Sequence, residues 1–204
     1  MLDGAVRRRL EPILNRLGIA LANRGVSADA VTISGLCLGL AAAFLISWQY
    51  YLAGAVLILV SRLCDGLDGA VARASRKTDF GGFLDIVLDF VFYGAIPFAF
   101  IIADPGANGL AGGLLLFSFY VNGSSFLAYA IMAEKRAMTS EVRGAKSLYF
   151  TTGLAEATET IAFFLASCLF PGWFPMLAVI FAFLCLYTAL SRVVLAGQTF
   201  RDRH

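Results

Sequence analysis

A succession of long apolar runs is the feature of this sequence that most limits what it can fold into. Several of these runs reach the ~20 residues that a helix needs to cross a bilayer. Of the 204 residues, 59% are hydrophobic, whereas soluble domains contain about 45–50% apolar residues. The mean hydropathy of the chain is correspondingly high, at +0.79. The sequence therefore predicts an all-α, polytopic membrane protein.

Six transmembrane helices are predicted, and they form one domain. They cover about residues 30–48, 52–72, 80–103, 110–132, 148–170 and 176–196. We expect a single domain over residues 1–204, made of a cytoplasmic segment at 1–26, a six-helix bundle at 27–198 and a tail at 199–204.

The N-terminal segment is predicted to be an amphipathic helix that lies on the membrane surface. Residues 4–24 combine arginines with apolar residues at helical spacing, which are Leu10, Ile13, Leu14, Leu17 and Ile19. Basic helices with one apolar face bind anionic membrane surfaces. A basic surface tail is the alternative interpretation. Ser27 is then expected to cap the first membrane span.

The distribution of charge predicts the orientation of the chain in the membrane. Basic residues precede the first span and occupy the second-to-third loop, the fourth-to-fifth loop and the tail, whereas the opposite loops hold only Asp104. By the positive-inside rule, both termini are expected in the cytoplasm, and we expect a bacterial inner membrane protein. The net charge of +2 is too small to argue for nucleic acid as a partner.

Four carboxylates interrupt the apolar sequence around the second-to-third turn. Asp65 and Asp68 are three residues apart, and Asp85 and Asp89 are four apart, so that each pair shares one helix face. Each ionised Asp near a bilayer centre costs roughly 2.5–3.5 kcal/mol, and divalent cations offset such a cost because they take carboxylate oxygens. Two antiparallel helices would bring the four groups to one depth and predict a cation site. A purely structural set of paired carboxylates is the alternative.

The same stretch carries a family resemblance. It reads Asp65-x-x-Asp68-Gly69-x-x-Ala72-Arg73, followed by Gly81-x-x-x-Asp85-x-x-x-Asp89. This resembles the signature of the CDP-alcohol phosphotransferases, D-x2-D-G-x2-A-R-x8-G-x3-D-x3-D. Seven residues rather than eight separate Arg73 from Gly81 here, and the difference falls in the predicted turn, where length changes are best tolerated.

The resemblance implies a phospholipid biosynthesis enzyme that transfers a phosphatidyl group from CDP-diacylglycerol to a small alcohol and releases CMP. It implies Mg²⁺ or Mn²⁺, as one or two ions, held by Asp65, Asp68 and Asp85, with Asp89 as a ligand, the general base, or both. Many members of the family are homodimers, and by analogy we expect a homodimer.

The resemblance also assigns the CDP moiety to the end of the second span. Gly69 and Ala72 would allow the nucleotide to approach the backbone closely, and Arg73 would hold a phosphate with its forked donors. Arg73 as an interface anchor is the alternative. For the neighbouring Gly66 and Ala70, ordinary helix packing is an equal alternative.

Two glutamates of the predicted fifth span are candidates for binding the acceptor. Glu156 and Glu159 are three residues apart in an otherwise apolar context. They could bind the hydroxyls or the amine of an acceptor, or they could form ion pairs with Arg62 or Arg192.

The identity of the acceptor is open to several interpretations. Arg143 and Lys146 could bind an acceptor phosphate, or could merely follow the positive-inside bias. Phe90 stands where glycerophosphate-using relatives often carry Lys, and Gly94 and Pro97 resemble a pattern of phosphatidylserine synthases. The candidates are therefore serine, inositol, inositol phosphate and glycerol 3-phosphate, with a tilt toward serine or a polyol.

A transporter or cation channel is the main alternative from another class, because intramembrane carboxylates also mark ion pathways. The sequence shows no evident inverted repeat, and its carboxylates lie in the cytoplasmic half alone. The four cysteines are dispersed in apolar runs without a metal-binding spacing, so that neither a zinc site nor a disulfide framework is expected.

Overall fold

The computed structural model describes residues 3–136 and 157–200, and within these ranges it is all-helical without a strand. The helices are α1 (Asp3–Asn23), α2 (Ala28–Ser47), α3 (Tyr51–Ala74), α4 (Asp79–Ala103), α5 (Pro105–Lys135), α6 (Ala157–Leu169) and α7 (Phe174–Phe200). A 3₁₀ turn at Pro171–Trp173 leads into α7. The prediction of an all-α fold is confirmed.

Four helical segments of the described chain are long and apolar enough to cross a membrane. They are Ala28–Ser47, Asp79–Ala103, Pro105–Lys135 and Pro171–Phe200. Helix α3 has the length of a span but carries the charges of the acidic motif, and α6 has only 13 residues within the described part of the chain. The number of six spans therefore stays a prediction, and part of the predicted fifth span lies outside the described residues.

Short side-chain caps determine where the helices begin. The Oγ of Ser27 accepts a hydrogen bond from the backbone N–H of Ala30 at 3.2 Å, as predicted for the start of α2. Thr78 caps α4 by accepting from the N–H of Gly81 at 3.0 Å. This cap starts the second acidic helix immediately after the turn, which places Asp85 and Asp89 within its first three turns.

The turn between α4 and α5 is shorter than the sequence pattern predicted. Helix α5 begins at Pro105, directly after Asp104, rather than at about residue 110. Proline is favoured at the first position of a helix because the backbone N–H that it lacks would have no helical partner there in any case. The carboxylate of Asp104 accepts from the N–H of Ala107 at 3.0 Å and completes the cap.

Helix α2 packs against both α3 and α4. The glycines of α2 allow a close approach to both helices. A side chain at Gly39 would place its Cβ 3.1 Å from the Oγ of Ser61 on α3 and closer still to the ring of Phe92 on α4. Phe92 is completely buried and makes an edge contact with Phe164 of α6, with ring centroids 6.0 Å apart. The aromatic core thus anchors the helices that carry the acidic motif.

Helix α1 crosses α3 at the acidic motif. A Cβ at Gly18 would lie 2.7 Å from the backbone of Ala70, and a Cβ at Gly66 would lie 3.1 Å from Leu14. Gly66 and Ala70 therefore serve helix packing, one of the two interpretations considered for them. Ile13 is exposed, as are other apolar residues of α1, and the placement of α1 on a membrane surface stays a prediction.

Candidate active site

The acidic residues lie on two helices that face each other across a cleft. Asp65 and Asp68 belong to the C-terminal half of α3, and Asp85 and Asp89 to the N-terminal half of α4. Helix α2 packs closely against both helices, whereas α3 and α4 make few backbone contacts with each other. The carboxylates consequently project into space between the helices instead of into a closed packing interface.

Three of the four carboxylates converge. Asp65, Asp68 and Asp85 each offer one oxygen, and these oxygens all lie within 4.8 Å of one another. Asp68 is 6% exposed, and its Oδ2 is buried without a hydrogen-bond partner among the described residues. An unpartnered buried carboxylate oxygen is costly unless a cation approaches it. Because hard divalent cations prefer carboxylate oxygens, the three residues fit the metal that the sequence predicts.

Asp89 stands apart from this triplet in its contacts. Its Oδ1 accepts a hydrogen bond from Nη1 of Arg62 at 2.7 Å. The same nitrogen lies 3.3 Å from Oδ1 of Asp65. Arg62 thus bridges the acidic residues of α3 and α4. Whether Asp89 also binds metal stays a prediction.

The cleft is small, partly open to its surroundings and lined by three helices. Its lining residues are Thr32, Gly35 and Leu36 of α2, Arg62 and Asp65 of α3, and Asp85, Leu88 and Asp89 of α4. The contribution of α2 was not foreseen from the sequence. Small and polar residues three apart within an apolar span, Thr32 and Gly35, were the available signal.

The sequence left open whether Arg62 and Arg192 pair with the glutamates, and among the described residues both arginines have other partners. The guanidinium of Arg62 binds Asp65 and Asp89. Arg192, the other proposed partner, donates instead to the backbone oxygen and Oδ1 of Asn122, both at 3.0 Å, and to Oγ of Ser125 at 2.6 Å. The spacing of Arg62 three residues before Asp65 was the signal for its true partner.

The residues assigned to the CDP moiety lie one to two helical turns after Asp65, toward the C-terminal end of α3. Arg73 is exposed, and its Nη2 donates to Oδ1 of Asn15 on α1 at 3.0 Å. A Cβ at Gly69 would lie 3.4 Å from Nη1 of Arg73, so the guanidinium extends back over this glycine. Gly69 and Ala72 are half-buried. The structure therefore brings Arg73 and Gly69 together beside α1.

Of the four residues assigned to the acceptor, the structure describes Glu159 alone. Glu159 lies in the first turn of α6, is half-buried, and its Oε2 has no hydrogen-bond partner among the described residues. Glu156, Arg143 and Lys146 lie outside the described residues.

Comparison with known proteins identifies the family. The family model of the CDP-alcohol phosphatidyltransferases matches residues 26–195. The chain is 47% identical over 193 residues to the inner membrane protein YnjF of Escherichia coli, and the match covers 95% of this chain and 94% of that protein. It is 31% identical over 199 residues to the archaetidylinositol phosphate synthase of Methanothermobacter thermautotrophicus, covering 95% and 91% of the two chains.

Solved structures show the same fold. The crystal structure of Mycobacterium tuberculosis phosphatidylinositol phosphate synthase with CDP-DAG bound superposes with a TM-score of 0.73 and 24% identity, over 95% of this chain and 98% of that chain. The same synthase in complex with manganese and citrate gives a TM-score of 0.71 and 23% identity, over 94% and 93% of the chains.

The chain belongs to the CDP-alcohol phosphatidyltransferase family. The predictions of this family, of a transferase enzyme and of an integral membrane protein are therefore confirmed. The alternative of a transporter or channel receives no support from these relatives.

Proposed function

We propose that this protein transfers a phosphatidyl group from CDP-diacylglycerol to a small alcohol and releases CMP, as a step of phospholipid biosynthesis. The convergence of Asp65, Asp68 and Asp85, beside a cleft that Asp65, Asp85 and Asp89 line, carries this proposal. All four residues fall within the segment matched by the family model. The solved M. tuberculosis synthase with CDP-DAG bound supports the choice of donor.

Asp65, Asp68 and Asp85 would hold Mg²⁺ or Mn²⁺, as one or two ions. The triplet supplies three carboxylates at short mutual distances, which is the ligand chemistry both cations take. Manganese in the solved M. tuberculosis synthase supports a divalent cation. The chemistry that a bound cation supplies here is neutralisation of the pyrophosphate charge and of the departing CMP.

Asp89 would act as the general base. It lines the cleft and remains partly exposed, so that the hydroxyl proton of an acceptor can be transferred to its carboxylate. The hydroxyl oxygen then bonds to the phosphatidyl phosphorus, and the bond between this phosphorus and the pyrophosphate bridging oxygen breaks. CMP carries away the electron pair of the broken bond.

Gly69, Ala72 and Arg73 would bind the CDP moiety. Nη1 of Arg73 lies 3.4 Å from the position that a Cβ of Gly69 would take, so that a phosphate bound by the guanidinium would also lie close to the glycine backbone. Arg73 is exposed and bonds to the neutral Asn15. A phosphate would be a stronger partner because charge-assisted, bidentate hydrogen bonds exceed neutral ones in strength.

The acceptor is proposed to be inositol phosphate. The matches to an archaetidylinositol phosphate synthase and a phosphatidylinositol phosphate synthase favour it over the serine that the sequence slightly favoured. Glu159 would accept hydrogen bonds from ring hydroxyls through its unpartnered Oε2. Glu156 would assist it, and Arg143 and Lys146 would bind the acceptor phosphate.

The proposed setting is a bacterial inner membrane, with six spans, both termini in the cytoplasm and α1 on the inner surface. Two copies would form a homodimer. Helix α3 would be one of the six spans, because its 24 residues suffice for the crossing and its Arg62 and Asp65 line the cleft.

The experiment that tests this function is identification of the lipid product. Purified protein in detergent is incubated with CDP-diacylglycerol, Mg²⁺ or Mn²⁺, and separately with inositol phosphate, inositol, serine or glycerol 3-phosphate. Mass spectrometry should show phosphatidylinositol phosphate and an equal amount of CMP with the first acceptor. A product with another acceptor would replace the proposed one, and absence of CMP with every acceptor would contradict the proposed function.

A further inference from the structure

A cation is built into the acidic site in the form of Arg62. Its Nη1 lies 2.7 Å from Oδ1 of Asp89 and 3.3 Å from Oδ1 of Asp65, and its side chain is 11% exposed. The guanidinium therefore occupies the space between the carboxylates of two helices. A surface ion pair contributes little because it is solvated and mobile, whereas here the guanidinium is largely buried and the two carboxylates are partly exposed.

The guanidinium also has contacts other than those with the carboxylates. Its carbon lies 3.8 Å from the ring centroid of Phe92, a cation–π distance. Its Nη2 donates to Oγ of Ser61 at 3.3 Å, and the completely buried Ser61 donates in turn to the backbone oxygen of Gly35 at 2.7 Å. Helices α2, α3 and α4 all contribute to this support. The position of Arg62 is thus specified by packing as well as by charge.

Arg62 stands where a second cation would bridge Asp65 and Asp89. Asp65, Asp68 and Asp85 keep oxygens within 4.8 Å of one another, and the guanidinium contacts one oxygen each of Asp65 and Asp89. A divalent cation placed next to Arg62 would be repelled by it, because like charges at close range in a partly buried site interact strongly. The arrangement leaves room for one cation on the triplet but disfavours another beside Asp89.

We propose that Arg62 is a positioning residue that takes the place of a second divalent cation. It holds Asp89 at the wall of the cleft before any metal binds, and it limits the site to one divalent cation on Asp65, Asp68 and Asp85. This inference rests on the proposed function for the role of Asp89. Its claim about the number of cations stands independently of turnover.

The test counts Mn²⁺ ions bound per chain by electron paramagnetic resonance, using full-length protein in detergent. Arg62→Met removes the charge but keeps an unbranched apolar stem, and Arg62→Lys keeps the charge. Arg192→Met is the matched control, since it removes a half-buried arginine that is bound to Asn122 and Ser125 of α5. The wild type, Arg62→Lys and Arg192→Met should each bind one Mn²⁺, and Arg62→Met should bind two.

Steady-state kinetics provide a second test. A merely structural role of Arg62 would not lower kcat while leaving KM nearly unchanged. In Arg62→Met, kcat should fall by about tenfold or more because the base is no longer oriented. KM for CDP-diacylglycerol should stay within about threefold of the wild type, because the substitution removes an interaction that acts in the transition state. Arg62→Lys should recover part of the lost kcat.

Two Mn²⁺ in the wild type, or one in a folded Arg62→Met variant, would overturn the proposal. An unchanged kcat in Arg62→Met would overturn the positioning role. Should Arg62→Met fail to fold, the Mn²⁺ count of Arg62→Gln tests the same point, because this variant removes the charge and retains hydrogen-bond donors. It should also bind two Mn²⁺. Expected Mn²⁺ counts without CMP release from any variant would instead contradict the proposed function and leave the single-cation site standing.

Discussion

The guanidinium of Arg62 on α3 and the carboxylate of Asp89 on α4 are joined by a hydrogen bond of 2.7 Å across the cleft. Asp89 is therefore oriented by the protein itself, in the cleft that Asp65 and Asp85 of the converging triplet also line. A carboxylate held in this way can accept a proton from a hydroxyl that enters the cleft. This relationship is the basis for assigning proton transfer to Asp89.

Replacing this base should stop turnover and leave the fold intact. We expect Asp89→Asn to lower kcat by about a hundredfold or more, because general bases typically contribute 10²–10⁴-fold. CDP binding and the thermal unfolding midpoint should change little, since Asn retains an oxygen that can accept from Arg62.

The matched control for this variant is Asp79→Asn, the same substitution at an exposed position of the same helix. It should turn over like the wild type. Near-normal CMP release by Asp89→Asn would exclude Asp89 as the base.

Nucleotide binding should depend on Arg73 and not on basic charge in general. Arg73→Met should raise KM for CDP-diacylglycerol by about tenfold, which corresponds to loss of ~1.4 kcal/mol, with a smaller change in kcat. Arg76→Met, which removes another exposed arginine three residues away, should have little effect. Equal effects of the two substitutions on KM would show that Arg73 acts as one of several surface charges.

Packing between α2 and the acidic helices should be sensitive to one added methyl group. Gly39→Ala would place a Cβ 3.1 Å from Oγ of Ser61 and closer to the ring of Phe92. We expect a loss of about 1–3 kcal/mol of stability, the usual cost of overpacking, measured as a lower midpoint of thermal unfolding in detergent.

Gly113→Ala on α5 is the control for this prediction, because a Cβ there meets no atom of the described residues within 4 Å. It should be neutral or slightly stabilising, since alanine favours helix more than glycine does. An unchanged midpoint in Gly39→Ala would mean that Phe92 and Ser61 move aside at no cost.

The acidic triplet could be predicted from the sequence, whereas its partners could not. Regular helical spacing and a short turn sufficed to bring Asp65, Asp68 and Asp85 together. The contact of Arg62 with Asp89 depends on the rotation and separation of α3 and α4, which local spacing does not determine. The sequence offered Arg62 only as one possible partner of glutamates in a later helix.

Two further features were accessible only through packing. Thr32 and Gly35 line the cleft because α2 lies against both acidic helices, and no motif marks them. Gly66 and Ala70 belong to the same run of small residues as Gly69, yet α1 covers the first two. The crossing of α1 determines which of these small residues pack against a neighbouring helix and which remain available to a ligand. Composition alone does not distinguish them.

The most direct test that the acidic triplet is the catalytic centre is a measurement of CMP release from CDP-diacylglycerol and inositol phosphate. It compares the wild type with Asp68→Asn, each with and without chelator. The wild type should release CMP, lose this activity with EDTA and regain it with excess Mn²⁺. Asp68→Asn should fold but bind Mn²⁺ at least about tenfold more weakly, because one of three charged ligands is lost, and should release CMP only at high Mn²⁺ concentration. Chelator-resistant release by the wild type, or wild-type metal dependence in Asp68→Asn, would contradict the account.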